Sequence, residues 1–125
     1  MLLTGGLTAA LVAAPGAGAE PPPPCSYALS PPEISQVDGA TMVAVTVAPA
    51  DCGFPGAPGF GVACVQRQGD SMKCAQGRGE DAARVLAPYL PGATYVATGR
   101  GCGSWAGNTE QTPNCQMFDP ISATL

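Results

Sequence analysis

Between residues 25 and 125 the apolar positions recur in short runs of period two, separated by clusters of Gly, Pro, Asp and Ser. The clearest run is Thr41 to Val47, where Val43, Val45 and Val47 alternate with Met42, Ala44 and Thr46, so the valines share one face of an extended strand. That face is the expected core. Further strands are expected at Ser26 to Leu29 continuing through Glu33 to Val37, at Gly61 to Gln66, Met72 to Ala75, Arg84 to Ala87, Thr94 to Arg100, and Met117 to Thr124. Asp81 to Ala87 is the only stretch that also carries helical propensity, and Pro88 would stop a helix there after about two turns. A short helix or turn is the alternative at that point. Seven short strands and no long helix predict an all-β antiparallel sandwich.

The chain's first residues belong to a different regime. Leu2 to Ala14 is apolar or small and uncharged, and Ala17-Gly18-Ala19 supplies the small-x-small pattern of a signal-peptidase site. Residues 1–19 are therefore expected to be a signal peptide, residues 20–24 a stiff Pro-rich linker, and residues 25–125 the folded domain. The apolar run is about 13 residues against the roughly 20 that a spanning helix needs, so no stable membrane insertion is expected after cleavage. A secreted or cell-envelope-associated protein is the expectation.

Export decides what the cysteines mean. Outside the reducing cytosol Cys25, Cys52, Cys64, Cys74, Cys102 and Cys115 read as three disulfides. Cys64 and Cys74 flank the turn around Gly69-Asp70 symmetrically, which sets them opposite each other across a hairpin. Local pairing of the rest gives Cys25 with Cys52 and Cys102 with Cys115, while a Cys52 to Cys102 bridge stays open as an alternative. No pair has the C-x-x-C spacing of a zinc or thioredoxin-type site, and the chain has no His. No metal and no cofactor are expected.

Tyr89-Leu90-Pro91-Gly92-Ala93-Thr94-Tyr95-Val96 resembles the stretch entering the sixth strand of fibronectin type III and immunoglobulin-like domains, where a tyrosine corner follows a Pro-Gly turn. The resemblance implies a seven-stranded sandwich of that kind, with Tyr95 buried and its hydroxyl bonded to the backbone near Tyr89 or Leu90. It also implies that the chain's start, the loop around Phe54 and the loop carrying Trp105 gather at one end. The exported, Cys-stapled, Ala/Gly/Pro-rich character of the whole chain is similar to that of small secreted actinobacterial proteins.

Charge and chemistry narrow the function. A net charge of −4 repels phosphate backbones and anionic lipid, so no nucleic-acid partner is expected. Without His neither a Ser-His-Asp triad nor a Cys-His pair can form, and Glu80-Asp81, being adjacent, do not make a glycosidase pair. The chain is accordingly expected to act without catalysis, by binding an extracellular protein or an envelope polymer; a purely structural envelope role is a further alternative. Phe54, Arg100 and Trp105 are the candidate binding residues, because aromatic side chains on stapled loops give contact area at low entropic cost. Trp105 folded back over the end of the sandwich is the plainer reading. One other alternative comes from Cys115-Gln116-Met117-Phe118-Asp119-Pro120, which resembles the reactive-site stretch of the subtilisin-inhibitor family. That resemblance implies Met117 as the primary specificity residue and Phe118 as its neighbour; the plainer reading has both begin the last strand.

Overall fold

The computed structural model describes residues 24–53, 56–105 and 114–125. Nine strands lie within them: β1 (Cys25–Leu29), β2 (Glu33–Val37), β3 (Ala40–Cys52), β4 (Gly56–Arg67), β5 (Lys73–Arg78), β6 (Ala83–Pro88), β7 (Thr94–Trp105), β8 (Asn114–Met117) and β9 (Ile121–Thr124). They form two antiparallel sheets and a sandwich-like all-β fold. In the first, β3 is flanked by β1 and β2 and paired also with β6; in the second, the order is β5-β4-β7-β8, with β9 also on β7.

Nine strands stand where seven were expected, and proline explains both extra breaks. Cys25 to Leu29 pairs with the second half of β3, and Glu33 to Val37 continues down its first half, but Ser30-Pro31-Pro32 interrupts the run. At the other sheet's edge, β8 lies against Arg100 to Gly103 and β9 against Thr94 to Ala97, with Phe118-Asp119-Pro120 between them. A proline has no N–H for the ladder, so each run pairs on both sides of the gap and not within it. The Asp81 to Ala87 segment resolves as strand: Ala83, Val85 and Ala87 are buried in alternation and β6 pairs β3 from Met42 to Val47. Burial of that alternating face outweighs a weak helical propensity.

The core lies between the sheets. Val43, Val45 and Val47 are fully buried, as their period predicts, and meet Ala63 and Val65 of β4, Val85 of β6, and Tyr95 and Ala97 of β7. Each fully buried valine contributes about 1.5 to 3 kcal/mol of transfer free energy. β3, β4, β5 and β7 all run past their expected bounds, and the extensions of β4 and β7 are glycine-rich. β4 starts at Gly56, with a register shift between Pro58 and Phe60, and β7 runs past Arg100 through Gly101, Gly103 and Trp105. Here glycine marks close approach. A methyl at Gly101 would fall inside the Tyr27 ring, and one at Gly99 would lie 2.7 Å from Val47 and 2.6 Å from the Val62 carbonyl. The second sheet is thus carved to receive side chains of the first.

All three disulfides join directly opposed residues of neighbouring strands: Cys25 with Cys52, Cys64 with Cys74, and Cys102 with Cys115. Bridges closing loops of this size contribute roughly 3 kcal/mol each in the chain-entropy picture. They fit an oxidising, extracellular environment. Pro24, expected as the last linker residue, is buried, and its carbonyl accepts the Gly53 N–H at 3.0 Å, so the domain begins no later than Pro24. Residues 1–23, which include the expected signal peptide, lie outside the described residues, as do Phe54 and residues 106–113. Among the described residues no helix is long and apolar enough to cross a membrane.

Candidate functional site

The residues singled out from sequence do not converge. Phe54 lies outside the described residues. Arg100 is exposed in the middle of β7, and Trp105, expected in a loop, is the half-buried last residue of the same strand, opposite Gly56. Strand parity puts Trp105 on the side of Gly101 and Gly103, which face Tyr27 and Cys25, and puts Arg100 on the opposite, outer face. Met117 ends β8 opposite Arg100 with its side chain 69% exposed, whereas Phe118 sits in the break after β8 and packs partly against the core. Tyr95 is fully buried; its hydroxyl donates to the Pro88 carbonyl at 2.8 Å and accepts the Leu90 N–H at 2.9 Å.

Arg100 does belong to a patch, one built by register across the second sheet. Successive outward positions on β4 are Phe60, Val62 and Cys64. Phe60 stands opposite Arg78 of β5 and Cys102 of β7; Val62 opposite Gln76 and Arg100; Cys64 opposite Cys74 and Thr98. Cys102 and Arg100 are in turn opposite Cys115 and Met117 of β8. The outer face therefore carries three rows, and the row Gln76, Val62, Arg100, Met117 lies between two disulfides. Cys64 and Cys102 are buried yet stand outside the inter-sheet core cluster, so it is the face's own side chains that cover them.

The electrostatics of this face differ from those of the whole chain. The Arg100 guanidinium carbon lies 5.9 Å from the centroid of the Phe60 ring, within cation–π range, and Arg78 stands opposite Phe60 on the neighbouring strand β5. Neither guanidinium has a carboxylate partner among the described residues, where the one ion pair joins Arg67 to Asp70 at 3.1 Å. Asp70 sits in the β4–β5 turn, and its carboxyl is held below the usual value, chiefly by the Ser71 N–H at 2.8 Å and more weakly by Arg67 and Lys73. Beside Arg100 a cleft of about 200 Å³ opens between Val62, Thr98, Met117 and Phe118. A larger hollow, about 470 Å³, lies at the end near Pro49 to Cys52 and is bordered by Asp51 and Glu80.

Phe60, Val62, Arg78 and Thr98 are not among the residues that the sequence singles out. One signal is there to be read: Phe60 continues the even-numbered apolar set of Val62 and Cys64, so a strand begun at Phe60 shows two apolar faces where a surface strand shows one. Compared with protein-family models, curated proteins and solved structures, the chain matches none.

Proposed function

We propose that this is an exported, disulfide-stapled binding module, acting without catalysis, whose contact surface is the outer face of the five-stranded sheet. The observation that carries the reading is the row Val62, Arg100, Met117: apolar groups and a guanidinium with no carboxylate partner among the described residues, held between two cross-strand disulfides, with Met117 69% exposed. A face fixed in this way loses little entropy on binding. Signal-peptide cleavage after Ala19 and an extracellular protein or envelope polymer as partner belong to the same reading. So does a likeness to fibronectin type III connectivity: counting β1 with β2 and β8 with β9 leaves seven strands in two sheets, and the Tyr95 hydrogen bonds support a tyrosine corner. The absence of His from the chain removes the common acid–base and nucleophilic pairs.

The test is capture from the native organism's envelope and culture fluid by the immobilised, oxidised domain, beside an Arg100→Glu/Met117→Glu variant of unchanged thermal midpoint. Retention of the same component by both proteins would rule this face out. A second reading, inhibition of a subtilisin-type protease through Met117, is favoured by that residue's exposure next to the Cys102–Cys115 bridge. Against it, the Met117 backbone is paired in the sheet with Arg100, and Phe118 packs toward the core. Inhibition by the wild type that Met117→Gly abolishes would establish it; cleavage without inhibition would end it.

A further inference from the structure

The outer face has a repeat that limits what it can hold. Phe60 and Val62 are two residues apart on β4, so their rows lie about 7 Å apart at 3.4 Å per residue, and each row carries a different chemistry. The Val62 row opens into the cleft of about 200 Å³ lined by Thr98, Met117 and Phe118, room for one apolar side chain. The Phe60 row places Arg78 opposite Phe60 on β5, and Arg100 of the next row holds its guanidinium over the Phe60 ring. An extended peptide repeats at the same spacing: side chains i and i+2 point the same way, about 7 Å apart.

Three features select among anionic ligands. The Phe60 ring has Arg100 over one side, so that side offers no open platform for a sugar ring. The cleft is lined largely by apolar groups, which a hydroxyl-bearing saccharide would not fill. The protein's net charge of −4 opposes a polyanion at range, whereas a single carboxylate pairs with a guanidinium only at contact.

Resting on the proposal that this face is the contact surface, we infer that its ligand is an extended peptide segment with an apolar side chain and an Asp or Glu two residues away. The apolar group enters the Val62–Met117 cleft and the carboxylate lies between Arg100 and Arg78.

The experiment is an NMR titration of the oxidised 15N-labelled domain with three blocked synthetic heptapeptides: one with Leu and Glu two residues apart, one with Glu replaced by Gln, and one with Leu and Glu adjacent. A uronic-acid oligosaccharide is the fourth ligand. The first peptide is expected to shift the amides of Val62, Thr98, Arg100 and Met117, binding at least tenfold more tightly than the other three ligands. Arg100→Gln and Arg78→Gln should each weaken it several-fold, with dispersed spectra showing that both variants fold. Equal binding by the Gln or adjacent-spacing peptide, stronger binding by the oligosaccharide, or no shift at these residues would overturn the inference. If the defined peptides fail while the Arg100→Glu/Met117→Glu variant still loses the native component, the contact surface stands and only this ligand class falls; if both fail, the surface falls too.

Discussion

Two tyrosines brace opposite ends of the sandwich, and they do so by different routes. Tyr95 bonds backbone five and seven residues back along its own chain, at Leu90 and Pro88, and so locks the corner between β6 and β7. Tyr27 reaches across the sheets: its ring covers Gly101, its hydroxyl donates to the Cys102 carbonyl at 2.8 Å, and its N–H is taken by the Gln116 side chain, also at 2.8 Å. The first is a local lock that depends on a turn. The second ties β1 to β7 and β8, strands that are far apart in sequence, and it depends on a glycine being where a side chain would block the ring.

The two largest effects come from filling the space under Tyr27 and from emptying the space that Tyr95 fills. Gly101→Ala would put its methyl against Cγ of the Tyr27 ring, at the ring's base and not at its free end, so the sheets would have to move apart. A loss of about 3 kcal/mol or more is expected in chemical denaturation of the oxidised protein. A loss below about 1 kcal/mol would mean that the ring does not seat on Gly101. The matched change at the other end is Tyr95→Ala, expected to cost roughly 3 to 5 kcal/mol as a large-to-small core deletion.

Removing only the hydroxyls sharpens the comparison. Tyr95→Phe deletes two hydrogen bonds and leaves both the Pro88 carbonyl and the Leu90 N–H without this partner; Tyr27→Phe deletes one. Expected losses are about 2 kcal/mol and about 1 kcal/mol respectively. The reverse order would show that the cross-sheet anchor, and not the corner, is the tighter joint. Gln116→Ala should cost about 1 kcal/mol, because it strips the acceptor from the Tyr27 N–H at the open side of the sandwich.

The same contrast explains which features are legible in the amino-acid sequence. The Tyr95 lock is legible because its partners lie within one turn motif, and the Cys64–Cys74 bridge because its residues straddle one hairpin. The Val43-Val45-Val47 face is legible because a strand writes its core in period two. Tyr27 gives no such sign: the residues it hydrogen-bonds lie 75 and 89 positions away. Gly101-Cys102-Gly103 lies beyond the strand that the sequence predicts to end at Arg100, since glycine is a poor strand former, and the side chains of Tyr27 and Cys25 packed against Gly101 and Gly103 explain why the strand continues. The candidate site stays hidden for a related reason. Phe60, Arg78, Arg100 and Met117 come from four strands, and which of them become neighbours is a matter of register between strands, which spacing along one chain does not encode.

The smallest expected effect concerns pH. Burial pushes the Tyr27 phenol above its ordinary value near 10, since the anion would lose hydration there. In the unfolded chain the phenol ionises at its ordinary value, while in the folded protein it keeps its proton to higher pH. The unfolded state therefore releases a proton first, and stability falls as pH rises through and above that ordinary value; below it the contribution is fully present. Denaturation midpoints of the wild type should thus decline in this window by more than those of Tyr27→Phe, which has no phenol to ionise. The variant begins lower, by the hydrogen bond it lacks, so the two curves should converge on the alkaline side. Parallel curves would mean that the Tyr27 hydroxyl meets water in the folded protein, and the tie from β1 to the second sheet would then rest on the ring over Gly101 and on Gln116.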